Sequence, residues 1–89
     1  MKLKVDFEIM ELDDETVAIP LGKNAKLFHG VIKMNDTGAY IMNLLKEDIS
    51  EEDIVRLIDM EYDASKEQIA ADVQSYLDEF RTRGLLEEY

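Results

Sequence analysis

Hydrophobic positions along this chain change their period near residue 35. Before that point Val5, Phe7 and Ile9 alternate with Asp6 and Glu8, the period-two pattern of a strand with one buried face. The phase breaks at Met10-Glu11-Leu12, which reads as a bulge or as the end of the strand. Asp13-Asp14 supplies a turn, because short carboxylates accept hydrogen bonds from their own backbone. Val17, Ile19 and Leu21 then alternate again. Pro20 has no N–H to give to a ladder, so this second strand should end there or lie at an edge. Gly22-Lys23-Asn24 reads as a loop and residues 27–34 as a third strand, with Gly30 as its weak point.

From residue 35 onward the spacing becomes helical. Asn35, Asp36 and Thr37 are all candidate caps, and Tyr40, Ile41, Leu44 and Leu45 share one helical face. A second helix starts at Ser50, with Asp53 in the position of a shortened capping box and Ile54, Val55, Leu57 and Ile58 as its core face. A third starts at Ser65, with Gln68 completing a proper box, followed by Ile69, Val73, Tyr76, Leu77 and Phe80 along one stripe. Gly84 should stop it by taking the left-handed conformation, and Arg81 and Arg83 complement the dipole in its last turn. The expected elements are strands at about 5–12, 15–21 and 27–34 and helices at about 36–47, 51–61 and 66–83. Together they form one domain over residues 1–89. The class is α+β: a three-stranded antiparallel sheet followed by three helices, of winged helix-turn-helix type.

Composition narrows the functional classes. The chain has 89 residues, enough for one small core, and no cysteine, which removes disulfides, thiolate metal sites and a cysteine nucleophile. No apolar run reaches the length of a membrane span and no signal core follows the first residues, so the expected location is the cytoplasm. The net charge of −11 is unevenly spread. Residues 1–46 hold six Lys/Arg against seven Asp/Glu; residues 47–89 hold four against fourteen. That half repels polyphosphate and anionic lipid and favours basic partners, although acidity also serves solubility.

Catalytic and metal-binding constellations are missing from the sequence. His29 is the single histidine and has no cysteine or second histidine to share a metal. The acidic groups at 13–15, 51–53 and 87–88 lack the spacing and central glycine of a calcium loop. There is no phosphate-binding glycine loop and no nucleophile elbow. The expectation is a protein with no catalytic residue, no metal and no cofactor.

The third strand carries the one feature that suggests binding. Residues 28–33 are apolar apart from His29 and Lys33. At a sheet edge such a strand offers unpaired N–H and C=O groups to an extended peptide. If it is central or covered, Val31 and Ile32 are plain core.

Several short motifs in fixed order bear on that choice. They are Met34-Asn35-Asp36-Thr37 followed by Gly38-Ala39, then Glu51-Glu52-Asp53-Ile54-Val55, then Asp72-Val73-Gln74-Ser75-Tyr76-Leu77-Asp78-Glu79-Phe80, and finally Gly84-Leu85-Leu86. In this order and spacing the chain resembles the coenzyme PQQ synthesis protein D (PqqD) family. It departs in lacking a tryptophan in the first helix, where Met42 follows Tyr40-Ile41, and in carrying Pro20 late in the second strand. The resemblance implies a non-catalytic, winged-helix-like recognition element for ribosomally made precursor peptides. Such an element binds the leader segment as a strand added to the third strand beside the third helix. It then presents the peptide to a modifying enzyme, typically a radical S-adenosylmethionine enzyme that carries the iron–sulfur chemistry itself. Carried onto this chain, the docking edge is Phe28, His29, Gly30, Val31, Ile32 and Lys33, and the facing wall is Gln68, Asp72, Ser75, Tyr76 and Glu79. The acidity of that wall suits a leader with Lys or Arg. Tyr76 reads either as a cleft aromatic or as part of the core stripe.

Other readings stay open at this level. The domain could be an adaptor between proteins that never meets a leader, or could self-associate by pairing or swapping the edge strand. A winged-helix DNA-binding regulator is disfavoured, because the third helix opens Lys66-Glu67-Gln68 and continues through Asp72, few cations for a phosphate backbone. A phosphopantetheine carrier using Ser50 is disfavoured by the N-terminal strands.

Overall fold

The computed structural model describes residues 1–22 and 31–88. In chain order the elements are β1 (Lys2–Leu3), β2 (Phe7–Leu12), β3 (Glu15–Pro20), β4 (Ile32–Met34), α1 (Asp36–Leu44), α2 (Glu51–Glu61), α3 (Lys66–Thr82) and β5 (Leu86–Glu87). The class is α+β, with a three-stranded antiparallel sheet ordered β2-β3-β4 and three helices after it.

β2 and β3 form a two-residue hairpin. Asp13 takes φ 55°, a left-handed conformation that aspartate tolerates because its side chain can bond locally. Pairing runs without a break from Phe7 opposite Pro20 to Leu12 opposite Glu15. The expected bulge or strand end at Met10-Glu11-Leu12 is therefore absent. The strand runs on through it with Glu11 on the side of Phe7 and Ile9, and Met10 and Leu12 point to the opposite, outer face, where they are 39% and 50% exposed. Phe7, Ile9, Ala18 and Ile32 lie on the inner face and join the core.

The helices start at the expected caps. Asn35 Oδ1 accepts from the Gly38 N–H at 2.9 Å, Ser50 Oγ from Asp53 at 3.1 Å and Ser65 Oγ from Gln68 at 3.2 Å. At α3 the return half of the capping box does not form as expected, because the Gln68 side-chain amide donates to Asp72 instead (3.0 Å). Helix α1 stops at Leu44 rather than 47. Its end tightens into bonds of three-residue span, Lys46 N–H to Asn43 and Glu47 N–H to Leu44. Met42, absent from the face read from the sequence, is fully buried with Ile41 and Leu45. Ile54, Ile58, Ile69, Val73, Leu77 and Phe80 complete the helical core. Tyr40 and Tyr62 meet edge to face at 5.9 Å between ring centres, joining α1 to the end of α2.

β1 and β5 were not legible in the sequence. They pair antiparallel, Lys2 with Glu87 and Leu3 with Leu86, and a two-residue strand is too short to display a period. The Leu3 N–H donates to Leu45 O (2.9 Å), and Ile49 N–H donates to Met1 O (2.9 Å). One extended segment thus holds the α1–α2 turn against the residues after α3. This second pairing also explains why the first long strand begins at Phe7 and not at residue 5. Lys4 still donates to Leu85 (2.8 Å), and the chain bends at Lys4-Val5 before joining the larger sheet.

Helix α3 ends in a Schellman arrangement. The Leu85 N–H donates to Phe80 O and the Gly84 N–H to Arg81 O, both at 2.9 Å, with Leu85 and Phe80 fully buried. Beyond it Arg81 donates to Glu88 and Asp78 (both 2.9 Å). The hydrogen bond from Arg81 holds the Glu88 carboxyl below its ordinary value, and the same bond raises the Arg81 guanidinium. What this exposed pair adds is present above the ordinary carboxylate range and lost as pH falls through the lowered Glu88 value.

Gly84 has φ 72°, and a Cβ added there meets nothing within 4 Å. Gly84→Ala should therefore lower stability through the backbone alone, by about 1 kcal/mol. A urea midpoint shift with an unchanged m-value is the expected result.

Candidate functional site

Two elements define the site: β4, at one end of the order β2-β3-β4, and the flank of α3 that reaches toward its C-terminal end. Of the residues expected on the docking edge, Phe28, His29 and Gly30 lie outside the described residues. Val31 and Lys33 are exposed, and Ile32 is buried with its side chain in the core.

Hydrogen-bond phase fixes what the edge offers. The Leu21 N–H donates to Asp6 O at 2.9 Å, so with the β2–β3 register the pairs that exchange hydrogen bonds are 8 with 19, 10 with 17 and 12 with 15. The main-chain groups of Thr16 and Ala18 then point to β4, where they meet Met34 and Ile32. Hence Ile32 and Met34 spend their N–H and C=O on β3, and Val31 and Lys33 direct theirs outward. Among the described residues no strand pairs with that side of β4. The Lys33 ammonium lies 3.7 Å from the Glu15 carboxylate, an exposed pair worth little.

The wall residues Gln68, Asp72, Ser75, Tyr76 and Glu79 fall on one stripe of α3, spaced i, i+4, i+7, i+8 and i+11 beside the buried stripe of Ile69, Val73, Leu77 and Phe80. Gln68 is bonded to Asp72, and Glu79 receives Arg83 at 3.2 Å. Part of the wall's negative charge is therefore compensated on the helix itself.

Tyr76 joins the wall to the edge. Its hydroxyl donates to Asn35 Oδ1 at 2.6 Å and accepts, at 3.4 Å, from the Asn35 N–H. Its ring lies over Gly38, where an added Cβ would stand 2.6 and 2.8 Å from ring carbons and 2.9 Å from Met34 Cβ. Tyr76 is half-buried and tilted against Phe80, with ring centres 6.2 Å apart. It thus belongs to both sequence readings: its ring joins the core margin and its hydroxyl reaches the end of β4. The joint role of Asn35 and Gly38 escaped the sequence, although a glycine inside the first turn of a helix is the signal for a close approach.

Elsewhere the surface offers less chemistry. An open groove at the N-terminus of α2, lined by Glu51, Glu52, Asp53, Arg56 and Lys66 among others, carries charges of both signs. Among the described residues no three His, Cys, Asp or Glu side chains converge as a metal site, and no helix is long and apolar enough to cross a membrane.

A small sheet whose edge strand β4 has no second pairing partner among the described residues, joined at its end to a long helix, is an arrangement to which an extended peptide can add as a further strand. The chain belongs to the family of coenzyme PQQ synthesis protein D (PqqD), whose pattern matches residues 10–86. No curated protein sequence is significantly similar to it. Among solved structures it is similar to TbiB1 in complex with the TbiA(beta) leader peptide, with a TM-score of 0.71 and 27% identity, over 100% of this chain and 98% of that one.

The contacts at Gly38 generate a stability prediction. Gly38→Ala should cost about 1–3 kcal/mol, because Met34 Cβ cannot retreat without moving the strand. A lowered urea midpoint, with the Asn35 and Tyr76 signals displaced in NMR spectra, is the expected outcome.

Proposed function

We propose that this domain binds the leader segment of a ribosomally made precursor peptide and presents it to a radical S-adenosylmethionine modifying enzyme. The leader adds as a strand to the outward side of β4 and packs against the Gln68–Asp72–Ser75–Glu79 flank of α3. The domain itself performs no chemistry, needs no cofactor, and works as one unit over residues 1–89 in the cytoplasm.

The observation that carries this reading is the outward direction of the Val31 and Lys33 main chain on an open edge. Similarity over the full length to a protein solved with a leader peptide bound supports it. The mode of recognition follows from the edge. Main-chain bonds to Val31 and Lys33 give affinity with little dependence on sequence, and the α3 flank supplies side-chain preference. Asp72 and Glu79 favour leaders with a basic residue at that depth. Micromolar affinity, about 8 kcal/mol, suits a carrier that must later release its cargo.

Lys33→Pro separates this edge from the fold. The Lys33 N–H points away from β3, so proline removes an outward donor and leaves the β3–β4 ladder intact. A synthetic leader peptide that the native domain binds should bind Lys33→Pro at least about tenfold more weakly by calorimetry. The cause is one lost main-chain bond together with the clash of the ring against the incoming strand. Lys33→Ala keeps the donor and should bind nearly as the native chain does. Equal affinity of the proline variant would refute strand addition at this edge.

A further inference from the structure

The docking edge has a built end. The backbone of Asn35 is still extended (φ −92°, ψ −176°), so the strand conformation continues one residue beyond β4. By the alternation that turns Val31 and Lys33 outward, Asn35 is the third residue whose main-chain groups face the open side. Both of those groups are already engaged. The Asn35 C=O accepts from the Ala39 N–H at 3.1 Å, the first bond of α1. The Asn35 N–H is directed at the Tyr76 hydroxyl at 3.4 Å, and that hydroxyl is fixed by its 2.6 Å bond to Asn35 Oδ1. The ring can stand there because position 38 is glycine.

We infer that Tyr76 is a register-setting residue: its hydroxyl closes the docking edge after Lys33, so that an added strand forms rungs with Val31 and Lys33 and none with Asn35. This rests on the strand-addition reading above and goes further, because it fixes where along β4 the peptide must stop. A main-chain ladder alone would let an extended peptide slide by two residues and keep its bonds. A stop at one end removes one direction of slippage and aligns the peptide's side chains with Asp72 and Glu79 in a single way. Tyr76 acts here by occupying Asn35, not by contacting the peptide backbone.

Amide hydrogen exchange tests it, measured with and without a saturating amount of a synthetic leader peptide that the native domain binds. In the native protein the leader should slow exchange at Val31 and Lys33 and leave Asn35 unchanged. In Tyr76→Phe the freed Asn35 N–H should gain leader-dependent protection of about fivefold, the factor of one net hydrogen bond. Asn35→Ser is the second variant: serine caps a helix as well as asparagine does, but its shorter side chain cannot hold the Tyr76 hydroxyl. It should show the same gain. A purely structural role for Tyr76 would lower stability in both variants without creating leader-dependent protection at residue 35. Protection of Asn35 by the leader in the native protein, or none in either variant, would overturn the inference and leave strand addition standing. A leader that protects neither Val31 nor Lys33 would overturn both.

Discussion

Close approach of α3 to the corner where β4 passes into α1 is the constraint on which the site depends. Three residues make it. Gly38 leaves the space, Tyr76 fills it, and Asn35 gives one side-chain oxygen both to the Gly38 N–H at 2.9 Å and to the Tyr76 hydroxyl at 2.6 Å. A single acceptor therefore starts α1 and ties α3 to the end of the edge strand. The position of α3 against the end of β4 is set at this junction by side chains of two regular elements, and a preset arrangement lowers the ordering cost of holding an extended peptide.

The rest of the architecture keeps that junction in place. The buried stripe of α3, Ile69, Val73, Leu77 and Phe80, sets the rotation of the helix, so the Gln68–Tyr76–Glu79 flank must lie at the margin of the core. Its C-terminal end is fixed by the Gly84 turn and by the pairing of β5 with β1. In a chain of 89 residues, where little surface can be buried, that short second ladder ties the helical half to the N-terminal segment at small cost in length.

Much of this was legible in the sequence because it is local. The Asp13-Asp14 turn, the caps at Asn35, Ser50 and Ser65, the stop at Gly84 and the apolar stripe of α3 all follow from neighbouring residues, and the structure places each of them as expected; the stripe of α1 is rotated to bury Met42. What escaped depends on partners distant in sequence. β1 and β5 are too short for periodicity, and their pairing spans the whole chain. The apparent phase break at Met10-Glu11-Leu12 misled because exposed apolar residues on an outer sheet face look like a shift of the inner one. Asn35 could be read as a cap but not as the partner of Tyr76, forty-one residues away. Gln68 fits a capping box by type, yet the free energy of its amide is better served by Asp72 one turn on. Which edge residues face outward could be settled only from the phase of the ladder, set by one bond from Leu21 to Asp6.

Strand addition requires that an extended peptide bond to the outward main chain of β4. Through-hydrogen-bond scalar couplings, measured on the isotope-labelled domain saturated with labelled leader, test it most directly. Couplings are expected from the Val31 and Lys33 amide nitrogens to carbonyl carbons two residues apart in the leader, the spacing of an antiparallel or parallel ladder. A saturated complex in which neither amide couples to the peptide would contradict it.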